Sequence, residues 1–207
     1  MRSEPAGVLL AALTLVACTG ESAPDRAAPS PTVAPGPLTP SEPTPTRTAT
    51  APPSLPDSCA DLVSVVDVGA ALGRAPLGRT TYLFAGPLPE SGRTGRVTCG
   101  YGVRGGRAPL VEVSLIGYRD AAVAAERVAL TVAGAQEDGD RVSRQRVGGY
   151  DGALLADRQD TSLVLAADRR TLVVTLRRGA VPPTAERSAL GEIAVAVLDR
   201  LATAAPA

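Results

Sequence analysis

The stretch TSLVLAADRRTLVVTLRR, Thr161 to Arg178, decides the fold of this chain. Leu163 and Leu165 fall two apart, and beyond Asp168-Arg169-Arg170 the same spacing returns in Leu172, Val174 and Leu176. Alternation on both sides of a short polar link reads as an antiparallel hairpin, strands 161–167 and 171–178, with one apolar face and one partly polar face.

Working outward, 141–147 and 152–157 read as two further strands of the same meander. Before them, 110–118 sets Val111, Val113 and Leu115 against Glu112 and Ser114, 97–103 reads as a strand carrying Cys99, and Tyr82-Leu83-Phe84 is an apolar, β-prone run. A loop rich in glycine and proline, 86–95, separates that run from the strand with Cys99. Asp120 is placed to cap a helix whose inward face holds Ala121, Ala125, Val128 and Val132, small enough to lie close on a sheet. Val123 and Leu130 fall on its polar side. Downstream, Pro182 and Pro183 end the meander and Thr184 caps a long helix with Leu190, Ile193, Ala194, Val197, Leu201 and Ala204 on one stripe. Near the start, Asp57 or Ser58 caps a short turn through Ala60, Leu62 and Val63, and Asp67 caps a second that ends at Gly73. Together these predict an α+β domain over 57–207, an antiparallel sheet of about five to six strands with two main helices packed on one face.

The rest of the chain has another character. Residues 6–17 form an apolar run about half the ~20 residues that a membrane span needs, after a start bearing Arg2 and Glu4. It ends in Leu15-Val16-Ala17-Cys18, which looks like a bacterial lipobox: a signal peptide over 1–17, cleavage before Cys18, and acyl chains on that cysteine. Residues 19–56 are mostly Pro, Thr, Ser and Ala, a composition that cannot bury enough surface to offset its ordering entropy, so 18–56 is expected to be a disordered tether. The expected location is the extracytoplasmic face of the cell membrane, held by lipid. With Cys18 assigned, Cys59 and Cys99 remain as a pair in a compartment where disulfides persist.

Composition excludes more chemistry than it suggests. The 21 basic residues are all arginine and balance 21 acidic ones, and there is no histidine, lysine or tryptophan. Ser-His-Asp, Cys-His and histidine-based metal sites are thereby excluded, as are the Ser-Lys dyad, Schiff-base chemistry and a P-loop. Two thiols without histidine make a poor zinc site. Carboxylates remain, and a glycan hydrolase would need two of Glu112, Glu137, Asp138, Asp151 and Asp157 converging in a cleft. Glu137, Asp138 and Asp140 surround Gly139 at a helix-to-strand junction, without the spacing of a calcium loop, and read as a solvated turn. The glycines at 102, 105 and 106 and at 148 and 149 lack the context of a dinucleotide fold and read as tight turns. No catalytic residue, metal or cofactor is assigned. Arg144, Arg146, Arg169 and Arg170 are candidates for contact with an anionic surface, lipid headgroups or wall phosphates. Nucleic acid is not an expected partner of a neutral, exported chain poor in aromatic residues.

Arginine in place of lysine with abundant Ala, Gly and Pro is typical of high-GC bacteria. Beside it stand the lipobox at Cys18, the Pro/Thr tether, Ser58-Cys59-Ala60-Asp61-Leu62, Leu72-Gly73, Cys99 in a strand, and Val147-Gly148-Gly149-Tyr150-Asp151-Gly152-Ala153. In these features the chain resembles a family of small actinobacterial lipoproteins with an uncharacterised extracellular domain. It is more distantly similar to extracellular sensor domains of mycobacterial serine/threonine kinases. The resemblance implies no catalytic residues.

The function expected from all this is a non-catalytic binding or accessory domain of the envelope, its partner an envelope protein, a wall polymer or an apolar small molecule. The competing readings are a spacer or surface antigen without ligand and, less favoured, a carboxylate-dependent glycan hydrolase. Labelling cells with an acyl-chain analogue should mark the wild type and not Cys18→Ala; equal labelling of both removes the lipid anchor.

Overall fold

The computed structural model describes residues 54–204. The signal segment, Cys18 and nearly all of the expected tether lie outside them. Two short helices, α1 (Cys59–Leu62) and α2 (Val65–Leu72), lead into three strands, β1 (Arg79–Ala85), β2 (Arg93–Val103) and β3 (Val111–Tyr118). Helix α3 (Ala121–Glu137) then carries the chain to β4 (Arg141–Val147), β5 (Tyr150–Ala156), β6 (Asp160–Ala167) and β7 (Arg170–Arg177), and α4 (Glu186–Thr203) closes the domain. The strands form one seven-stranded antiparallel sheet in the order β1-β2-β3-β7-β6-β5-β4.

The chain thus lays down one half of the sheet from its edge inward, jumps to the far edge, and fills the other half until β7 meets β3. The jump is across four strand spacings, about 19 Å at ~4.8 Å each. At 17 residues α3 is about 25 Å long, enough to span it.

The sheet has seven strands, not five to six, because the run around Tyr82 is a full edge strand. The placement of the helices on one face is also corrected. Leu163, Leu165, Leu172, Val174, Leu176 and Leu154 face α1, α2 and α4 in the main core, with Leu190, Ile193, Ala194 and Val197. The alternate residues Ala153, Leu155 and Val164 are buried on the opposite face with Ala135, against Val128 and Val132 of α3. Strands apolar in both registers need cover on both sides, and the result is a helix–sheet–helix sandwich. Polar groups on the α3 face pair across strands: Thr98 with Ser114 at 2.8 Å and Ser162 with Thr175 at 2.9 Å.

Local details depart from expectation where tertiary contacts decide. Ser58 caps α1. Ser64, not Asp67, caps α2, and Asp67 completes its capping box from the third helical position. Helix α3 is turned so that Ala124 and Ala135 are buried while Ala121 and Ala125 are exposed. Helix α4 follows a 3₁₀ turn (Pro183–Ala185) and has no side-chain cap from Thr184. The expected loop 86–95 contains a 3₁₀ turn (Pro89–Ser91) and a bridge between Leu88 and Arg93.

Three links hold α1 and α2 to the rest. Cys59 is disulfide-bonded to Cys99 of β2 across 40 residues. The buried Tyr101 hydroxyl donates to the carbonyls of Val63, at 2.7 Å, and Cys59, at 3.3 Å, and burial pushes its pKa well above the ordinary phenol value. Arg200 of α4 donates to the carbonyl of Ala60 and, at 2.6 Å, to the carboxylate of Asp67. The side chain of Ser64 also donates to that carboxylate, and Ser64 foremost, with Arg200, holds its pKa below the usual value against the opposing effect of burial.

Replacing Cys59 and Cys99 by alanine together should lower the unfolding free energy by about 4 kcal/mol in the chain-entropy model, read by denaturant titration. For Asp67 the folded pKa is depressed, so its contribution is present above the unfolded value near ~3.9 and lost as pH falls through the folded value. Asp67→Asn should therefore flatten the acid limb of the stability profile below about pH 4; an unchanged limb would remove the linkage.

Candidate functional site

Strand β4 is an edge strand whose alternation sends Val142, Arg144 and Arg146 toward the α3 face and Ser143, Gln145 and Val147 toward α4. Its register with β5 is fixed by the turn at Gly148-Gly149, both with positive φ (56° and 86°), a conformation glycine adopts without steric cost. That register sets Arg144 opposite Ala153 and Arg146 opposite Asp151.

Between this strip and the second half of α3 lies a groove of about 570 Å³. Val128, Val132, Val142 and Ala153 form an apolar floor continuous with the core beneath α3. Gln136, Arg144, Arg146 and Asp151 supply the polar rim. Arg146 meets Asp151 at 3.2 Å with both side chains largely exposed, a pair worth little in water. The two arginines against one carboxylate leave the rim with an excess positive charge. Chemically, the groove offers an apolar bed beside a cationic end.

The four arginines do not gather into one patch. Arg144 and Arg146 share the groove. Arg170 is on the opposite face, half-buried, with Nη2 donating to the carbonyl of Ser54 at 3.2 Å, and burial depresses its pKa. Arg169 stands in the turn between β6 and β7. At the other end of β7, Arg177 and Arg178 donate to the carbonyls of Ala108 and Asp157.

The five acids named for hydrolysis are all exposed: Glu112 is on β3, Asp151 on β5 and Glu137 at the end of α3, whereas Asp138 and Asp157, with Asp140, line one polar groove of about 530 Å³ between the end of α3 and the turn before β6. Asp157 accepts hydrogen bonds from the amides of Asp160, at 2.7 Å, and Gln159, at 2.5 Å, which hold its carboxyl below the usual range. A general acid at neutral pH needs the reverse shift. Among the described residues no three acids or thiols are grouped to hold a metal ion, and no helix is long and apolar enough to cross a membrane.

No family model and no curated protein matches this chain. Among solved structures, the chain is similar to the extracellular domain of PknH from Mycobacterium tuberculosis. The TM-score is 0.48 at 12% identity, covering 70% of this chain and 94% of that one.

Sequence reasoning named Arg144, Arg146, Val128 and Val132 but left out the groove they make with Val142, Ala153 and Gln136. The available signal was the second apolar register, Ala153 and Leu155 with Val164, which calls for a helix on that side.

Between the sheet and the α1, α2 and α4 layer the large apolar side chains close on one another. Leu115, Leu163, Leu165, Leu172, Leu176, Leu190 and Ile193 are fully buried and packed on one another.

Proposed function

We propose that this chain is an exported envelope protein, anchored by lipid at Cys18 on the extracytoplasmic face, whose domain binds an amphipathic anion and transforms nothing. The observation that carries this reading is the groove between α3 and the β4–β5 hairpin, with its valine floor and the adjacent Arg144 and Arg146. A ligand with an alkyl or isoprenoid portion gains by covering the floor, at roughly 25 cal/mol per Å² of apolar area removed from water. A carboxylate or phosphate at its end meets the guanidinium groups, whose planar fork suits both. The Cys59–Cys99 bridge suits an oxidising compartment, in keeping with export. Asp138 and Asp157 share a groove, but both are exposed and the Asp157 carboxyl is held below its usual range, which supports binding over hydrolysis.

The test uses the full chain with Cys18→Ser, so that no attached acyl group competes for the groove, and calorimetric titration with a long-chain fatty acid and its methyl ester. The acid should bind, the ester about tenfold or more weaker, a difference of ~1.4 kcal/mol. Arg144→Glu with Arg146→Glu should remove the preference for the acid. No binding of the acid, or equal binding of acid and ester, would sink the proposal.

A further inference from the structure

The two edges of the sheet are built differently. Strand β4 carries exposed Arg141, Arg144 and Arg146 within its seven residues, the kind of charge that keeps an edge from pairing with another chain. Strand β1 carries a single charge, the exposed Arg79 at its first position. From Thr80 to Gly86 there is no charge and no proline, and Tyr82, Leu83 and Phe84 are 38%, 64% and 61% exposed. Its inner edge pairs with β2, where Tyr82 is opposite Cys99 and Leu83 opposite Thr98, and among the described residues its outer edge has no neighbouring strand. Leu83 and Phe84 point to opposite faces, so the strand exposes apolar surface on both, although the Tyr82 hydroxyl donates to the carbonyl of Pro56 at 3.1 Å.

We infer that β1 pairs antiparallel with β1 of a second copy of this chain, about a two-fold axis through Leu83, so that one sheet runs through both copies. A two-fold axis perpendicular to the sheet keeps like faces together, and centring it on Leu83 makes the strand complementary to itself. Tyr82 then faces Phe84 of the second copy on one side, twice over, and Leu83 faces Leu83 of the second copy on the other. Aromatic and aliphatic cross-strand pairs of this kind stabilise antiparallel sheets. Centring the axis on Tyr82 would instead set Phe84 and Leu83 against Thr80 and Thr81, apolar against hydroxyl. With no charge between Thr80 and Gly86, two copies meet without like-charge repulsion in the paired segment, and a chain of zero net charge adds no overall repulsion. The contact is small, well below the ~1,200 Å² of a standard interface, so the pair is weak in dilute solution and forms where copies are concentrated on one surface.

The experiment places one cysteine at the axis of the anchored full chain, Leu83→Cys, and oxidises intact membranes with copper-phenanthroline. A reducible dimer is expected, about tenfold more abundant than with Leu130→Cys, a comparably exposed position on α3, since only pairing holds two thiols together. Adding Tyr82→Arg and Phe84→Arg to Leu83→Cys sets arginines opposite each other across the pair and should abolish the dimer; all three positions are exposed, so the domain still folds. Equal cross-linking from Leu83→Cys and Leu130→Cys, or a dimer that survives the two arginines, overturns the pairing. Fatty-acid binding at the groove, on the far side of the sheet, is unaffected either way.

Discussion

A sheet whose central strands are apolar in both registers cannot rest on one layer of helices. β5, β6 and β7 turn leucines to one side and Ala153, Leu155, Val164 and Val173 to the other, so burial on a single face would leave the second set in water. The chain meets this constraint with its one long connection: α3 has to travel from the middle of the sheet to its far edge, and its route covers the second face. The topology and the second core have a common cause. Because the stripe that α3 presents is alanine and valine, it covers the face closely but thinly, and the main body of large side chains stays with α4.

The opposite layer depends on a different device. α1 has four residues and α2 eight, too few for helices that hold themselves. They persist because three unlike interactions converge on their junction: a covalent bond to β2, a buried phenol under the end of α1, and an arginine from the last turns of α4 that takes both an α1 carbonyl and the α2 capping carboxylate. Asp67 shows the coupling well. The same carboxylate completes the local capping box and receives the long-range Arg200, so helix start and domain closure are settled by one group.

How far the sequence discloses this varies with the kind of signal. The hairpin at 161–178 and the stripe of α4 are legible because large apolar residues mark one face and polar ones the other. The second buried face was harder to see, since Val164 and Val173 share their register with Ser162 and Thr175, and hydroxyls look like solvent until they are found paired with each other. The rotation of α3 was not readable, because alanines lie all around that helix and only Val128 and Val132 identify the inward side. Asp67 reads as a cap because a carboxylate is a good one, but a serine three residues before it forms the reciprocal capping box, which puts Ser64 at the cap and Asp67 at the third position. The four arginines offered as one patch do not form one, because strand parity joins Arg144 to Arg146 while a change of face separates Arg170.

The same parity explains why the groove lies where it does. An edge strand has a neighbour on one side only, so the residues of β4 that face α3 are covered on the β5 side and open on the other. Val142, nearest the helix-to-strand turn, is drawn under α3, whereas Arg144 and Arg146 lie progressively farther along the strand and have no helix to pack beneath. An apolar floor grading into a cationic rim is therefore the natural outcome of a helix meeting a guarded edge. The arginines that guard β4 as an edge strand are the same ones that border its groove.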